Sequence, residues 1–181
     1  MGAFEFLLIV LAIIGILAIC YIMIYNKLQI EKTKIEHAEN LIDENLRSKY
    51  DIMVRANDVI KKELKDKKEY LKEYIDLKEK KISNFDLDRE LTQAENIIAN
   101  LCNDNPELEK NENMIEITYD FKMINEKLTA CISYYNKQMN LLNGYIRKFP
   151  NNIIAKLHNV KSKPFFDGKD MTDNDIEDFK L

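Results

Sequence analysis

Hydrophobic residues follow two different patterns along the chain. Nineteen consecutive residues, 6–24, carry no charge and are almost all apolar, FLLIVLAIIGILAICYIMI. As a helix this run would cover about 28 Å at 1.5 Å per residue, which matches the hydrocarbon thickness of a bilayer. After it, apolar residues recur every three or four positions, the spacing of helices that bury one face. The pattern predicts a transmembrane helix at residues 6–25 with a helical domain behind it.

The residues around the apolar run argue against two alternatives. The first five residues, Met-Gly-Ala-Phe-Glu, contain no Lys or Arg, and the run is longer than the apolar region of a secretory signal peptide, so cleavage is not predicted. A lipoprotein signal ending at Cys20 would need a small residue before the cysteine, and Ile19 is bulky. The run is therefore expected to stay attached, with residues 1–5 as a short flank.

Positive charges flank the apolar run on one side only. No Lys or Arg precedes it, whereas Lys27, Lys32 and Lys34 follow it closely. Positively charged residues next to a transmembrane helix favour the cytoplasmic side. We therefore expect a single-pass protein of the cell membrane, in contact with the lipid bilayer through residues 6–25. Its N-terminus would lie outside and its helical domain in the cytoplasm.

Apolar spacing predicts three helical segments before Pro106. The first is expected to run directly out of the membrane. The second, residues 64–82, mixes Lys with Glu and Asp, which favours a solvated helix with ion pairs over a polybasic lipid-binding patch. A polar break at residues 83–86 predicts a turn and an N-cap, and the third helix should end before the proline. The apolar positions are Ile35, Ala38, Ile42, Leu46, Met53, Ala56, Ile60 and Leu64 in the first helix, and Leu87, Leu91, Ala94, Ile97, Ile98 and Leu101 in the third.

The fourth segment has the most regular apolar spacing. It is predicted to form the seam of a helix packed in a bundle, with Cys131 in the core. Pro150 is predicted to stop this helix directly after Phe149, and Asn151 or Asn152 to cap a short helix that follows. The seam positions are Met114, Ile117, Phe121, Ile124, Leu128, Cys131, Tyr135, Met139, Leu142, Ile146 and Phe149.

Composition favours an all-α fold in one domain. The 181 residues are 46% hydrophobic and 32% charged, and only four Gly and three Pro are present to break helices. A net charge of −4 argues against a nucleic-acid partner, which would select a concentrated basic face. Three cysteines, with Cys20 inside the apolar run, predict reduced thiols rather than a disulfide framework. The domain is assigned to residues 26–166 and an acidic flexible tail to residues 167–181.

Recognisable catalytic or ligand-binding motifs are missing from the sequence. His37 and His158 both lack a Glu three residues before them, which a di-iron carboxylate bundle would need. There is no glycine-rich phosphate loop, no G-x-S-x-G motif and no local Cys-His signature. We therefore predict no cofactor, no metal, no small-molecule substrate and no enzymatic activity. Glu36, Asp43 and Asp51 have a spacing that could line a polar groove, but their Lys and Asn neighbours favour a solvated face.

Two Tyr-Asn pairs are candidate interaction or structural motifs. Tyr25 ends the apolar run, where tyrosine commonly anchors a span in the headgroup layer, and Asn26 then caps or turns the chain. Tyr135 and Asn136 lie midway along the fourth helix, where asparagine is a poor helix former. We hypothesise that Asn136 makes an interhelical hydrogen bond that fixes the register of the bundle.

Several short motifs follow one another along the chain. They are Tyr25-Asn26-Lys27-Leu28, Ile42-Asp43 with Leu46, Lys49-Tyr50-Asp51, Thr92-Gln93-Ala94-Glu95-Asn96, Asn105-Pro106-Glu107-Leu108, Tyr135-Asn136, and Ile146 with Phe149-Pro150-Asn151-Asn152. Together with the membrane span, their order resembles the bacterial LemA family over nearly the whole chain, to about Phe166. The resemblance implies an antiparallel four-helix bundle of long helices on a membrane anchor, with no established catalytic activity.

The chain departs from the pattern of that family in two places. The family has a stretch containing Pro-Asn after its Tyr-Asp pair, whereas residues 52–56 contain no proline, so the first helix of the domain is expected to continue unbroken. The family also repeats Tyr-Asn late in its last long helix, whereas this chain has Leu142-Asn143. A role that the family gives to this second tyrosine therefore cannot be assigned to the present chain.

Three functions fit these predictions. The leading one is a non-catalytic interaction or scaffold module at the bacterial membrane, which presents a helical surface to a protein partner or to a second copy of itself. The first alternative is a regulatory adaptor of a membrane stress or protease pathway, which would need a specific membrane partner. The second alternative is an enzyme with an unrecognised site.

Overall fold

The computed structural model of the protein describes residues 2–64 and 68–166. All regular structure in these residues is helical, which confirms the all-α prediction. The predicted acidic tail, residues 167–181, lies outside the described residues. The elements are α1 (Ala3–Leu64), α2 (Lys72–Ile75), a 3-10 helix (Asp76–Glu79), α3 (Asn84–Asp104), α4 (Pro106–Glu109), α5 (Glu112–Ile146) and α6 (Asn151–Leu157).

Helix α1 runs without interruption from the apolar run into the domain. It contains no proline that would break its backbone hydrogen bonds. The first helix of the domain therefore continues directly from the apolar run and passes unbroken through residues 52–56, as predicted. The first part of α1 is long and apolar enough to cross a membrane, by length and composition, and none of that apolar stretch is buried.

The chain forms two compact units. The terminal unit comprises residues 2–37 and 135–165, which are the first part of α1, the end of α5, and α6. The central unit comprises the described residues between 38 and 134 together with Phe166. It contains the second part of α1, the short helices α2 and α4, the whole of α3 and most of α5.

Helices α1 and α5 are antiparallel in the central unit. Asn45 of α1 donates a hydrogen bond to Cys131 Sγ of α5 over 3.8 Å, and Arg55 of α1 forms an ion pair with Asp120 of α5. The position on α5 falls as the position on α1 rises, which defines the opposite directions. Buried core residues are Ile42, Leu46, Met53, Ala56 and Ile60 on α1, Leu91, Ala94 and Ile98 on α3, and Met114, Ile117, Phe121, Ile124 and Leu128 on α5.

Helix α3 contacts both of these helices. Lys49 Nζ of α1 donates to Thr92 Oγ1 at 2.9 Å, and Asn125 Nδ2 of α5 donates to Glu95 Oε1 at 2.8 Å. Glu95 lies 9 residues before the end of α3 and Asn125 lies 13 residues after the start of α5, as in an antiparallel hairpin closed by α4. Since α5 is antiparallel to both, α1 and α3 run parallel. The chain between α1 and α3 must therefore return along the central unit.

The predicted arrangement of four long helices is not confirmed. In residues 68–83, the described part of the return connection, only α2 and the 3-10 helix form, each one turn long. Leu71 and Leu77 are buried there, and Tyr50 Oη donates to the Ile75 carbonyl at 2.7 Å. The prediction of one solvated helix over residues 64–82 is wrong for this part.

The distance that the connection covers explains why it is not one helix. Lys49 lies 15 residues before the end of α1, and its partner Thr92 lies 8 residues after the start of α3. At 1.5 Å per helical residue, the return path is roughly 34 Å. The nineteen residues 65–83 would cover only about 28 Å as a single helix, before either reversal of direction. A partly extended connection is therefore required.

The ends of α3 lie where the sequence predicts them. Ser83 is the N-cap, and its Oγ accepts a hydrogen bond from the Asp86 N–H at 3.1 Å. At the other end, α3 stops at Asp104, and Asn105 before Pro106 has an extended backbone. The polar break and the proline therefore both act as predicted.

The seam of α5 is confirmed along most of its length. Nine of the eleven predicted seam residues are buried, and Cys131 is half-buried rather than enclosed in the core. Phe149 was predicted in the seam, but it is 80% exposed. The reason is that α5 ends at Ile146, so the chain leaves the helical path before it reaches Phe149.

Helix α6 forms as predicted but begins in a different way. The Phe149–Pro150 peptide bond is cis, and Pro150 occupies the N-cap position of α6. The prediction that Asn151 or Asn152 caps this helix is therefore wrong. Asn151 is buried, and its Nδ2 donates to the Tyr145 carbonyl at 3.2 Å. Its side chain holds the reversal between α5 and α6 instead.

A buried asparagine fastens the segment after α6 to the end of α5. Asn143 is fully buried, its Nδ2 donates to the Lys163 carbonyl at 3.0 Å, and its Oδ1 accepts from the Lys163 N–H at 3.3 Å. A side-chain amide can satisfy both the N–H and the C=O of one residue in this way. The position where the chain departs from the family pattern, Leu142-Asn143, therefore has a structural role.

Replacing Asn143 with alanine should release the segment after α6. Each of the two lost hydrogen bonds contributes about 1 kcal/mol, so local opening and trypsin cleavage after Lys161 should be roughly tenfold faster or more. The measurement is limited trypsin digestion of the detergent-solubilised full chain, followed by mass spectrometry. Asn140→Ala is the matched control, because Asn140 is exposed on the same helix. Equal cleavage of the two variants would contradict the role of Asn143.

Candidate functional site

An open groove lies between α3 and α5 in the central unit. Its volume is about 860 Å³, in the range of pockets that bind ligands or side chains of a partner. The groove is lined by Glu95, Ile98, Ala99, Cys102 and Asn103 of α3, Glu109 of α4, and Met114, Ile115, Thr118, Phe121, Lys122, Asn125, Glu126 and Thr129 of α5.

Small side chains on α3 leave this space open. Ala99 and Cys102 line the groove with a methyl group and a thiol, which fill less space between two helices than Leu or Phe would. Across from them, Phe121 is buried in the core, whereas Ile115 remains 56% exposed. The groove therefore offers apolar surface that the described part of the chain does not cover.

A buried cation lies behind the polar edge of the groove. The side chain of Lys49 is only 2% exposed, although it carries an ammonium group. Its Nζ donates to Thr92 Oγ1 at 2.9 Å and lies 3.4 Å from Asp88 Oδ1 and 3.6 Å from Glu95 Oε2. A buried ammonium group is tolerated only when acceptors and opposite charges surround it. Three acceptors from α3 meet that requirement here.

Glu95 connects the buried cation to the groove. Its carboxylate faces Lys49 on one side and accepts from Asn125 Nδ2 on the other, at 2.8 and 3.0 Å. Both Glu95 and Asn125 line the groove. The arrangement fixes a carboxylate and an amide at the edge of an apolar surface, where they can orient a partner by hydrogen bonding.

The groove cysteine is not set up as a nucleophile. Burial, with a smaller contribution from the negative charge of Glu109, raises the pKa of the Cys102 thiol. The reactive form of cysteine is the thiolate, so a raised pKa disfavours the reactive form. Cys102 therefore contributes a small apolar surface to the groove.

A metal-binding arrangement is not evident in the described residues. Within residues 2–64 and 68–166, no group of three or more His, Cys, Asp and Glu side chains could hold a metal ion. His158 instead lies against tyrosines of α1, with its Nε2 2.7 Å from Tyr21 Oη.

The terminal unit contains a second buried charge, Glu31. Lys27 Nζ lies 2.7 Å from its carboxylate and Lys34 Nζ lies 3.2 Å from it. Burial alone would raise the pKa of Glu31, but the hydrogen bonds and charges of the two lysines outweigh burial and lower it. Glu31 is therefore ionised at neutral pH and offsets part of the positive charge that follows the apolar run.

The structure distributes the predicted site residues between the two units. Tyr25 and Asn26 belong to the terminal unit, where the centroid of the Tyr25 ring lies 4.7 Å from that of His158. Asp43 forms an ion pair at 3.0 Å with the arginine four residues on, and Asp51 is exposed. These two aspartates belong to the central unit, but neither lines the groove. They do not form a common site with it.

The remaining predicted site residues all lie in the terminal unit. Tyr135 is buried and Asn136 is half-buried on α5. The proposed role of Asn136 in fixing the register stays a prediction. Phe149 and Pro150 are exposed in the turn before α6. The Phe149-Pro150 pair therefore marks a turn, and the exposed Phe149 ring is available for contact.

Sequence reasoning named Lys49 and Glu95 only as members of family motifs and missed their pairing, and it missed Asn125 altogether, although one signal was present. The apolar seam of the first helix steps by seven residues from Leu46 to Met53. Position 49 falls on the same face within that step, so a lysine there interrupts a buried seam. A charged residue at a seam position predicts a buried partner, and the carboxylates of α3 supply it.

Replacing Lys49 with methionine should destabilise the central unit. The variant leaves two carboxylates beside each other without their cation, so we expect a loss of about 2–4 kcal/mol in the free energy of unfolding. Urea unfolding of the full chain in detergent, followed by circular dichroism, measures it. Lys32→Met removes an exposed helical ion pair and should change the value by less than about 0.5 kcal/mol. A similar small change for both variants would mean that Lys49 does not stabilise this packing.

Comparison with known proteins agrees with the motif order. Residues 38–177 match the model of the LemA family. No match was found among curated proteins or among solved structures. The matched range begins after the apolar run, contains the groove and Lys49, and extends through α6. Because the family model covers most of the sequence, the chain belongs to the LemA family.

Proposed function

We propose that this protein is a membrane-anchored, non-catalytic interaction module, and that the groove between α3 and α5 binds an amphipathic helix of a protein partner. The observation that carries this proposal is the open apolar groove with Glu95 and Asn125 fixed at its edge. Helix-in-groove recognition uses apolar anchors at helical spacing, together with polar groups that set the orientation.

The anchor is the predicted transmembrane helix, residues 6–25. This part of α1 is long and apolar enough to cross a membrane, and its side chains are exposed rather than packed in the domain. The lysines that follow it, and their absence before it, support an N-terminus outside and a domain in the cytoplasm. The partner would then be a cytoplasmic protein or the cytoplasmic part of a membrane protein.

The number of long helices supports a helical partner. The described part of the central unit packs three long helix segments, and α3 and α5 leave the groove between them. A helix of about three turns would place apolar residues over Ile115 and Ala99, which are exposed, and complete a four-helix arrangement. A partner helix would therefore bury surface that this chain leaves exposed.

The charges of the groove indicate the chemistry of the partner. Among the described residues, the carboxylates of Glu95, Glu109 and Glu126 line it together with the ammonium group of Lys122. Lys49 behind Glu95 offsets one further negative charge, which leaves a small negative excess. Charge complementarity favours a partner with the opposite sign and raises its association rate. We therefore expect an amphipathic helix that has Lys or Arg along one edge of its apolar face.

Photo-crosslinking from inside the groove tests this function. A photoreactive amino acid at Ile115 of the full chain in its native membrane should form an adduct with one partner protein. The matched control is the same amino acid at Tyr119, which is 61% exposed on the same helix but does not line the groove. An equal yield of the same adduct from both positions would exclude the groove as the binding site.

Filling the groove should remove that adduct. Ala99→Trp places a large side chain in the groove, and we expect the yield from Ile115 to fall by about tenfold, since the loss of a central contact in an interface commonly costs more than 1 kcal/mol. Ala130→Trp adds the same side chain at an exposed position of α5 outside the groove and should leave the yield unchanged. An adduct twice the mass of the chain would instead assign the groove to self-association.

A further inference from the structure

An exposed apolar stripe lies at the end of the terminal unit. It consists of Phe149, Ile153 and Leu157, which are 80%, 57% and 71% exposed. The last two are four residues apart on α6 and therefore project from one side of that helix. Large apolar side chains grouped on a surface mark a site of interaction with another apolar phase or molecule.

The region that carries the apolar stripe has positive charges and no carboxylates. Residues 135–165 contain six Lys and Arg and no Asp or Glu, although the net charge of the whole chain is −4. Three of these residues, Arg147, Lys148 and Lys156, lie within or directly before the stripe and form its basic flank. An apolar stripe with a basic flank is typical of segments that lie in an anionic membrane interface.

A hydrogen bond places the apolar stripe beside the end of the apolar run. His158 follows Leu157 directly, and its Nε2 lies 2.7 Å from Tyr21 Oη. Tyr21 is part of the uncharged run at residues 6–24, and Met23 in the same stretch is 67% exposed. The apolar surface of α6 therefore continues the surface of the last turns of the run. The same medium, lipid or solvent, therefore surrounds the end of the run and the stripe.

We infer that α6 docks on the surface of the bilayer that holds the apolar run, with the apolar stripe at the boundary between headgroups and acyl chains and the basic flank on anionic phospholipid headgroups. This inference rests on the membrane anchor of the proposed function. Continuity with the anchor surface selects a bilayer as the occupant, because a protein partner would not need to lie at that depth. The positive charge selects anionic lipid.

A weak intrinsic affinity is sufficient for this docking. A short amphipathic segment on its own binds a membrane only marginally. Here the hydrogen bond between Tyr21 and His158 holds α6 next to the anchor, so the segment meets the surface at a high effective concentration. The terminal unit would then have two membrane attachments, one spanning and one at the interface.

Single tryptophans report the environment of the stripe directly, because the natural chain has none. The full-length variant Leu157→Trp would be placed in nanodiscs of three parts phosphatidylcholine to one part phosphatidylglycerol, with brominated acyl chains as quencher. We expect a large loss of emission relative to the same nanodiscs with non-brominated lipid. Tyr119→Trp is the matched exposed control in the central unit and should keep its emission.

The variant Ile14→Trp separates the inference from the proposed function. Residue 14 lies in the middle of the apolar run, so quenching there reports the anchor alone. If Ile14→Trp is quenched and Leu157→Trp behaves like Tyr119→Trp, the docking of α6 is wrong while the anchor stands. If Ile14→Trp is not quenched, the anchor itself is wrong. Emission from Leu157→Trp that is shifted to the blue but not quenched would assign the stripe to a protein contact and overturn the inference.

Charge reversal tests the choice of anionic lipid. Lys148→Glu with Lys156→Glu in the Leu157→Trp background should lose most of the quenching in the phosphatidylglycerol nanodiscs. Lys110→Glu with Lys127→Glu changes the net charge equally at exposed positions of the central unit outside the groove and should leave the quenching intact. Quenching that is the same in pure phosphatidylcholine and insensitive to either pair would overturn the role of the basic flank. Equal circular dichroism spectra would show that the variants are folded.

Discussion

The packing of the central unit depends on one buried ammonium group. Lys49 Nζ lies in the interior between α1 and α3, where its charge requires nearby acceptors. Asp88, Thr92 and Glu95 supply them from three successive positions on one face of α3. A change of the α3 register by one residue would rotate that face away from α1 and leave the cation without its partners. The electrostatic requirement therefore sets the register of two helices that apolar packing alone would hold less specifically.

Two further features are related to this contact. It sets the level at which α3, which runs parallel to α1, lies along that helix, so the connection must return over roughly 34 Å, which a single helix of its length cannot do. The described part of that connection contributes one-turn helices and two buried leucines, Leu71 and Leu77, instead of a fourth long helix. The same contact orients Glu95, which then holds Asn125 at the edge of the groove. The polar edge of the groove is thus a consequence of this pairing, whereas the small side chains of α3 leave the groove itself open.

The sequence predicted the features that depend on neighbouring residues. The N-cap at Ser83, the stop before Pro106 and most of the α5 seam follow from local chemistry and were found. The N-cap of α6 is a local feature that was predicted wrongly, because Pro150 rather than an asparagine occupies it. The other missed features depend on contacts distant in sequence. Residues 68–82 have the composition of a helix, but the parallel direction of α3 requires a more extended path. Within the candidate site, Lys49 could be recognised from the sequence as a charged residue in an apolar seam. Its partners on α3 could be identified only from the fold.

The contact between Tyr21 and His158 joins two parts of the chain that lie far apart in sequence. A side chain from the apolar run pairs with the residue that follows α6, and the Tyr25 ring packs against the same imidazole. Helix α6 lies within the region that matches the family, whereas the apolar run lies outside it. The contact therefore links the apolar run to the family region within the terminal unit, a connection that no local sequence pattern contains.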